Sequence, residues 1–194
     1  MKVLVVYCHP RGDSYVAALR DTVCAALAAG GHAVELADLY AENFRPVMDA
    51  EERGRYNDPL RNTEGIEAEI ARLKRAEAIV FVYPTWWYGL PAMLKGWFDR
   101  VWAPGVVFDI NGGVIRPLLT DVRHVATVTT MGAPWWFAWF MGHPGRMFMS
   151  RGVRAICARG CKFTWRAHDR MDASAPETRV AFIEKVRRTF SAFQ

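Results

Sequence analysis

The chain has 194 residues, 52% apolar and 23% charged, which excludes an intrinsically disordered chain and leaves too little length for two large domains. The net charge of +5 is uneven: residues 1–150 carry 15 Lys/Arg against 16 Asp/Glu, a net of −1, and residues 151–194 carry 10 against 4, a net of +6. The arginines of that last quarter are scattered rather than run together, so a solvated surface is the favoured reading, with attraction to nucleic acid or an anionic membrane, or contact of some of them with an anionic cofactor, as the alternatives.

The pattern alternates along the chain. MKVLVVYCHP opens with a short apolar run that reads as a first strand over residues 2–7, not as a signal peptide. After a polar loop, Tyr15, Ala18, Leu19, Thr22, Ala26 and Ala29 recur at spacings of three and four, the stripe of a helix that Gly30-Gly31 ends. Residues 33–39 predict a second strand, residues 40–62 a loop-rich stretch, and Ile66, Ile70 and Leu73 a second helix. AIVFVY at residues 78–83 is the third strand, and residues 91–102 form a helix with Pro91 in its first turn. Residues 104–117 read as irregular, 122–130 as a fourth strand, 131–142 as an aromatic loop and 143–159 as a helix after Pro144. A fifth strand at 161–167 precedes a last helix, where Ser174 and Glu177 have capping-box spacing ahead of Val180, Ile183, Val186 and Phe190. Five strands alternating with helices predict one α/β domain over residues 1–194, a three-layer doubly wound sheet of five parallel strands with helices on both faces, Rossmann-like or flavodoxin-like.

Cys8, Cys24, Cys157 and Cys161 contain no CxxC pair, and no His pair accompanies the last two, so they read as reduced thiols and no metal site is expected. No apolar run approaches the length of a membrane-spanning helix, and a cytoplasmic location is the expectation.

In doubly wound sheets ligands bind beyond the carboxyl ends of the strands, which directs attention to three loops. CHPRGDSY, residues 8–15, joins a strand to a helix N-terminus whose N–H groups favour phosphate. Ser14 there can cap the helix and bond a phosphate oxygen, Arg11 can add charge, and His9 can donate through its ring. An ordinary N-cap without a ligand is the alternative. YPTWWYG, residues 83–89, places three adjacent aromatics at a strand end, an aromatic wall for a flat conjugated ring or else a satellite cluster or subunit contact. TTMGAPWWFAWFMGHPG, residues 129–145, supplies Thr129, Thr130 and Gly132, then a run of aromatics suited to a lid, pocket wall or dimer contact, and His143 at a predicted helix start. GxGxxG, the P-loop and GxSxG are all absent. A cofactor that carries its own chemistry would explain such a site.

Three segments resemble the flavodoxin-like NAD(P)H:quinone oxidoreductases of the DT-diaphorase and modulator-of-drug-activity type. They are VVYCHPRGDSY, DLYAENFRPVM at residues 38–48, and YPTWWYGLPAMLKGWFDRVW at residues 83–102, the most specific. TTMG stands where that family usually has TTGG, and His143, eleven residues after Gly132, falls where the family has its active-site His. The resemblance implies a two-electron flavin reductase working by ping-pong hydride transfer. NADH or NADPH is the donor, and a quinone or related aromatic is the acceptor. The flavin is FAD or FMN, with the second and third segments leaning toward FAD. By position, His9, Ser14 and Tyr15 would hold the phosphate end, with Arg11 beside them. Pro84, Thr85, Trp86, Trp87 and Tyr88 would line the ring system. Thr129, Thr130 and Gly132 would donate to its pyrimidine side, and His143 would position or neutralise the charge that develops on reduction. A homodimer with the site at the subunit interface is also implied. Phe137 stands where mammalian-type relatives have a Tyr, which removes a tyrosine-assisted relay, and Met131 replaces the first glycine of the pair. Some relatives are regulatory subunits of potassium-efflux transporters, the alternative function.

Overall fold

The structure is a computed structural model and describes residues 1–111 and 113–194. Strands β1 (Lys2–Tyr7), β2 (Ala33–Asp38), β3 (Ala78–Pro84), β6 (His124–Thr130) and β7 (Lys162–His168) form one parallel sheet in the order β2-β1-β3-β6-β7. Strands β4 (Phe108–Asn111) and β5 (Val114–Pro117) pair separately as an antiparallel hairpin. The helices are α1 (Tyr15–Ala29), α2 (Ala50–Arg55), α3 (Glu67–Arg75), α4 (Ala92–Val101), α5 (Trp135–Phe140), α6 (Pro144–Met147) and α7 (Pro176–Ser191).

Every residue of β3 and β6 is buried, because helices cover both faces of a parallel sheet and leave no solvent side for polar residues to fill. Alternate side chains divide between two cores. Leu4, Val6, Ile79, Phe81 and Tyr83 meet α3 and α4, which contribute Ile70, Leu73, Leu94 and Trp97. Val3, Val5, Tyr7, Val80 and Val82 meet α1 and α7, which contribute Leu19, Val23, Val186 and Phe190. Trp97 is fully buried, and its indole N–H donates to Glu69 Oε2 at 2.8 Å, so its one polar atom is satisfied inside the core. Gly96 beside it lets the chain at Pro46 touch α4, for a Cβ there would lie 2.1 Å from the Pro46 carbonyl oxygen.

Register sets the site. Pro84 lies opposite Thr130 and Thr130 opposite His168, so the loops after β3, β6 and β7 leave the sheet side by side. Tyr7 pairs with Val82, and the chain runs from β1 outward to β2 before returning past β1 to β3. The connections therefore diverge on either side of β1, which opens a crevice at that switch point.

The structure corrects several local expectations. Residues 104–117 are not wholly irregular: they hold the β4–β5 hairpin, with Gly112 outside the described residues. The loop-rich stretch contains α2, capped by Asp49, whose carboxylate accepts the Glu52 N–H at 2.8 Å. The aromatic loop contains α5, begun by Pro134 in extended conformation. The helix expected over 143–159 is α6 followed by a π-helical segment, Phe148–Val153. The expected capping box at Ser174 does not form. Ala175 is the N-cap of α7 with Pro176 at its first position, while the Ser174 hydroxyl donates to the Met171 carbonyl at 2.8 Å and accepts from Arg179 Nε.

Candidate functional site

Above the carboxyl ends of β3 and β6 lies an open cavity of about 550 Å³, lined by Thr85, Trp86, Trp87, Tyr88, Met131, Gly132, Ala133 and Asp172. The size falls within the range of small-ligand sites. Its floor is tied down: Thr85 N–H donates to the Thr130 carbonyl at 2.8 Å, and the Thr85 and Thr129 hydroxyls bond each other at 2.8 Å. Its wall is held in a sparsely populated backbone conformation. Trp87 and Tyr88 both have positive φ, 49° and 62°, which bulky residues rarely adopt. The strain turns the Trp87 ring outward, where it is 95% exposed. Among the described residues, the N–H groups of Trp87, Tyr88, Gly132 and Ala133 donate to no backbone carbonyl. The cavity thus combines indole faces with free backbone donors. A Cβ at Gly132 would sit 2.9 Å from Asp172 Oδ2, so a larger residue there would displace that carboxylate.

The loop after β1 adjoins this wall, with the His9 and Trp86 rings 6.4 Å apart between centroids. Ser14 caps α1 by accepting the Ala17 N–H at 3.1 Å. Among the described residues, the N–H groups of Gly12, Asp13 and Ser14 donate to no backbone carbonyl, and the first turn of α1 leaves those of Tyr15 and Val16 without intrahelical partners. Two residues expected here are engaged within the protein. Arg11 makes a two-pronged contact with Asp13, Nε to Oδ1 at 3.0 Å and Nη2 to Oδ2 at 2.9 Å, so its charge is largely matched locally. The Tyr15 hydroxyl donates to the Arg179 carbonyl at 3.0 Å, and burial pushes that phenol up to about 12.

His143 lies over the far side of Tyr88 and Met131, in a narrow crevice that also touches Thr85, Ala138 and Trp165. Its backbone is left-handed, φ 46° and ψ 54°, held by its N–H on the Ala138 carbonyl and its carbonyl on the Met147 N–H, each at 2.9 Å. Two residues on, the Gly145 N–H reaches the Tyr88 carbonyl at 3.3 Å, which fastens this segment to the aromatic wall. Burial, then the nearby Arg146 charge, holds His143 below the ordinary histidine value, so its ring is neutral at pH 7 and offers one donor and one acceptor.

Of the residues singled out in the sequence, Thr85, Trp86, Trp87, Tyr88 and Gly132 line one cavity. His9, Arg11 and Ser14 lie on the adjoining loop and Tyr15 begins α1 behind it, while His143 lines the neighbouring crevice. Pro84, Thr129 and Thr130 are buried in the strands, and the Thr129 hydroxyl is spent on Thr85. Sequence reasoning passed over Asp172 and Ala133, which also line the cavity. Asp172 follows the carboxyl end of β7, so the strand-end rule that singled out three loops extends to a fourth.

The sequence matches a protein-family model described as a flavodoxin-like fold over residues 1–192. The chain belongs to this flavodoxin-like family. Human ribosyldihydronicotinamide dehydrogenase (quinone) is 32% identical over 147 residues, which cover 68% of this chain and 64% of that protein. The chain therefore spans less than two thirds of the length of the curated relatives it matches first. An NAD(P)H:quinone oxidoreductase from Methanothermobacter marburgensis superposes with a TM-score of 0.84 at 25% identity, covering 100% of this chain and 99% of that one. Smu.1420 from Streptococcus mutans UA159 superposes with a TM-score of 0.90 over the whole of both chains at 24% identity, a likeness of fold alone. Among the described residues, no helix is long and apolar enough to cross a membrane, and no group of three or more His, Cys, Asp or Glu is placed to hold a metal ion.

Proposed function

We propose that this chain is a flavin-dependent NAD(P)H:acceptor oxidoreductase that transfers two electrons to a quinone or related aromatic acceptor. The observation that carries the reading is the strand-end cavity, where outward-turned Trp86 and Trp87 stand beside unpaired backbone donors and next to the N-terminus of α1. That donor set fits a flavin. Aromatic faces suit its ring system, the amides of Trp87, Tyr88, Gly132 and Ala133 suit the edge oxygens and nitrogens, and the open N–H groups around Ser14 suit phosphate. When bound, a flavin supplies the capacity to accept and release a hydride. The residues of this chain supply the rest. Trp86, Trp87 and Tyr88 would line the ring system, the N–H groups of Gly132 and Ala133 would stabilise negative charge beside them, and neutral His143 would donate a hydrogen bond or take up a proton at one of its ring nitrogens. Ser14 and the first turn of α1 would hold the phosphate end, with the His9 ring 6.4 Å from that of Trp86. FAD is the proposed flavin, with FMN as the alternative that chromatography of the released cofactor separates.

The oxidoreductases named above support this reading over that of a transporter's regulatory subunit. We also propose that residues 1–194 act as one unit and pair as a homodimer, because Trp135, Trp136, Trp139 and Phe140 of α5 remain exposed beside the cavity. The deciding experiment is the visible spectrum of the purified protein under anaerobic NADH and then NADPH. A flavin spectrum that bleaches is the expected result. Flavin that neither nucleotide bleaches overturns the reductase in favour of a regulatory role, and failure to bind added flavin overturns the site itself.

A further inference from the structure

At the opposite edge of the sheet, where β6 and β7 begin, lies a second cavity of about 620 Å³ that the proposed reaction does not use. Cys157 and Cys161 both line it, with Arg154, Arg159, Thr120 and Gly160. The two cysteines flank a tight turn. Cys161 N–H donates to the Ala158 carbonyl at 2.9 Å, and Gly160 takes φ +78°, which folds the chain back on itself. The base of the turn is pinned to one strand approach: Ala158 N–H donates to the Val122 carbonyl at 3.0 Å and Lys162 N–H to the Arg123 carbonyl at 2.8 Å. Cys157 and Cys161 are only 5% and 6% exposed, and the cavity is where they meet solvent.

The chemistry of the two thiols differs. As the structure stands, the Cys157 thiol donates to the Val153 carbonyl at 3.3 Å and the Cys161 thiol to the Lys162 carbonyl at 3.5 Å. The neighbouring Cys157 thiol, when turned onto it, holds the Cys161 thiol below its ordinary value, and the Val125 backbone and the Arg154 charge add to this against the opposing effect of burial. The same contact, then burial, pushes the Cys157 thiol up. Of the two, Cys161 is the thiol that gives up its proton more readily, and it lines a cavity whose described lining includes two arginines and no carboxylate. The other two cysteines have no such setting. Cys8 is fully buried with its thiol pushed up to about 12 by burial, and Cys24 is also raised by burial.

We propose that Cys157 and Cys161 form a peroxide-reactive dithiol site that closes to an intramolecular disulfide. The Cys161 thiolate attacks one oxygen of hydrogen peroxide, the O–O bond breaks, and a sulfenic acid forms as hydroxide leaves and takes up a proton. The Cys157 sulfur, giving up its proton, then attacks the sulfenic sulfur. The S–S bond forms and the S–O bond breaks, releasing water. The balance is two thiols and one peroxide to one disulfide and two waters. No part of this rests on the flavin reading.

The test is a peroxide titration of the purified full chain, followed by thiol counting, intact mass and mapping of alkylated cysteines. The free thiols are expected to fall from four to two. The mass should drop by two hydrogens, with Cys157 and Cys161 in one linked peptide that dithiothreitol separates. Cys157→Ser should halt the reaction at a Cys161 sulfenic acid that dimedone traps, and Cys161→Ser should leave Cys157 unreactive. Retention of both thiols while Cys8 or Cys24 oxidises first overturns the proposal. So does accumulation of oxygen adducts on Cys161 in the unmodified sequence without a disulfide. The readings on the unmodified sequence decide the matter even if a variant fails to fold.

Discussion

Two groups of aromatic side chains lie within twenty residues of one another and do opposite things. Trp97 and Phe98 pack on Phe81 beneath the sheet and Trp102 packs on both of them, in contacts such as Trp97–Phe98 at 5.3 Å and 85° and Phe98–Trp102 at 4.9 Å and 61°. Trp86 and Trp87, on the loop just before, face outward, joined by Trp135, Trp136 and Trp139 of α5. The residue types are the same, so composition does not separate them. What separates them is the backbone: α4 presents one stripe to the sheet, whereas a strand end with two successive left-handed residues turns its rings away from the core. Folding does not need the second group, and an apolar cluster that folding leaves uncovered is the mark of a binding surface.

The largest effect that tests this contrast is Trp97→Ala. It removes a fully buried indole and strips Glu69 of a buried donor, so a loss of about 3–5 kcal/mol is expected in urea unfolding. A loss under about 1 kcal/mol would erase the distinction between the two groups.

What the sequence disclosed follows the same division. AIVFVY and the stripe of α1 are legible because burial imposes continuous apolar runs in a parallel strand and a three-to-four spacing in a helix. The strand-end rule then located the cavity loops without any motif. The hairpin of β4 and β5 lies in the stretch read as irregular, although the sequence Asn111-Gly112-Gly113 holds residue types common at hairpin turns. Helix α5 carries no helical pattern: apart from Ala138, its six residues are all aromatic, so no face is marked out. Ser174 shows the limit of local rules. Its spacing to Glu177 fits a capping box, yet the structure gives its hydroxyl to Met171 and Arg179. That Arg11 is matched by Asp13, and that Thr129 is spent on Thr85, were likewise beyond reach, because both depend on side-chain geometry.

The next largest effect concerns chemistry rather than stability. His143→Ala should lower the rate constant for flavin reduction by NAD(P)H roughly 100-fold, about 2.7 kcal/mol of barrier, the scale of losing one preorganised donor. Flavin content should be unchanged, since His143 lies in the neighbouring crevice and not in the main cavity. An unchanged rate in stopped flow would leave His143 a structural residue. Trp87→Ala sharpens the contrast from the other side. Its side chain is 95% exposed, so unfolding should shift by no more than about 0.5 kcal/mol, while flavin affinity should weaken about 2- to 10-fold, the worth of one aromatic contact. Full flavin retention in that variant would remove Trp87 from the wall.

The smallest effect separates buried from exposed polar groups by pH. His168 ends β7 only 5% exposed, stacked on Phe182 at 4.9 Å and edge-on to Tyr15 at 5.5 Å, and neither ring nitrogen has a hydrogen-bond partner among the described residues. Burial holds it below the ordinary histidine value, with Arg179 acting in the same direction and Asp169 against it. The sign follows. Above about pH 6.5 the ring is neutral in both folded and unfolded chains, so its contribution is fully present. As pH falls, the unfolded chain takes up the proton first, and stability is lost until the depressed folded value is passed. His124 and His143 are lowered by burial as well and act in the same window. Thermal melts of the full chain should therefore decline on acidification from about pH 7 to 5. His168→Phe, which keeps the stacking and removes the titration, should leave the melting temperature near pH 7.5 almost unchanged and shallow the acid decline. An equally steep decline would mean that His168 reaches solvent and meets its proton there, and the stacked pocket between α1 and α7 would then be looser than its packing implies.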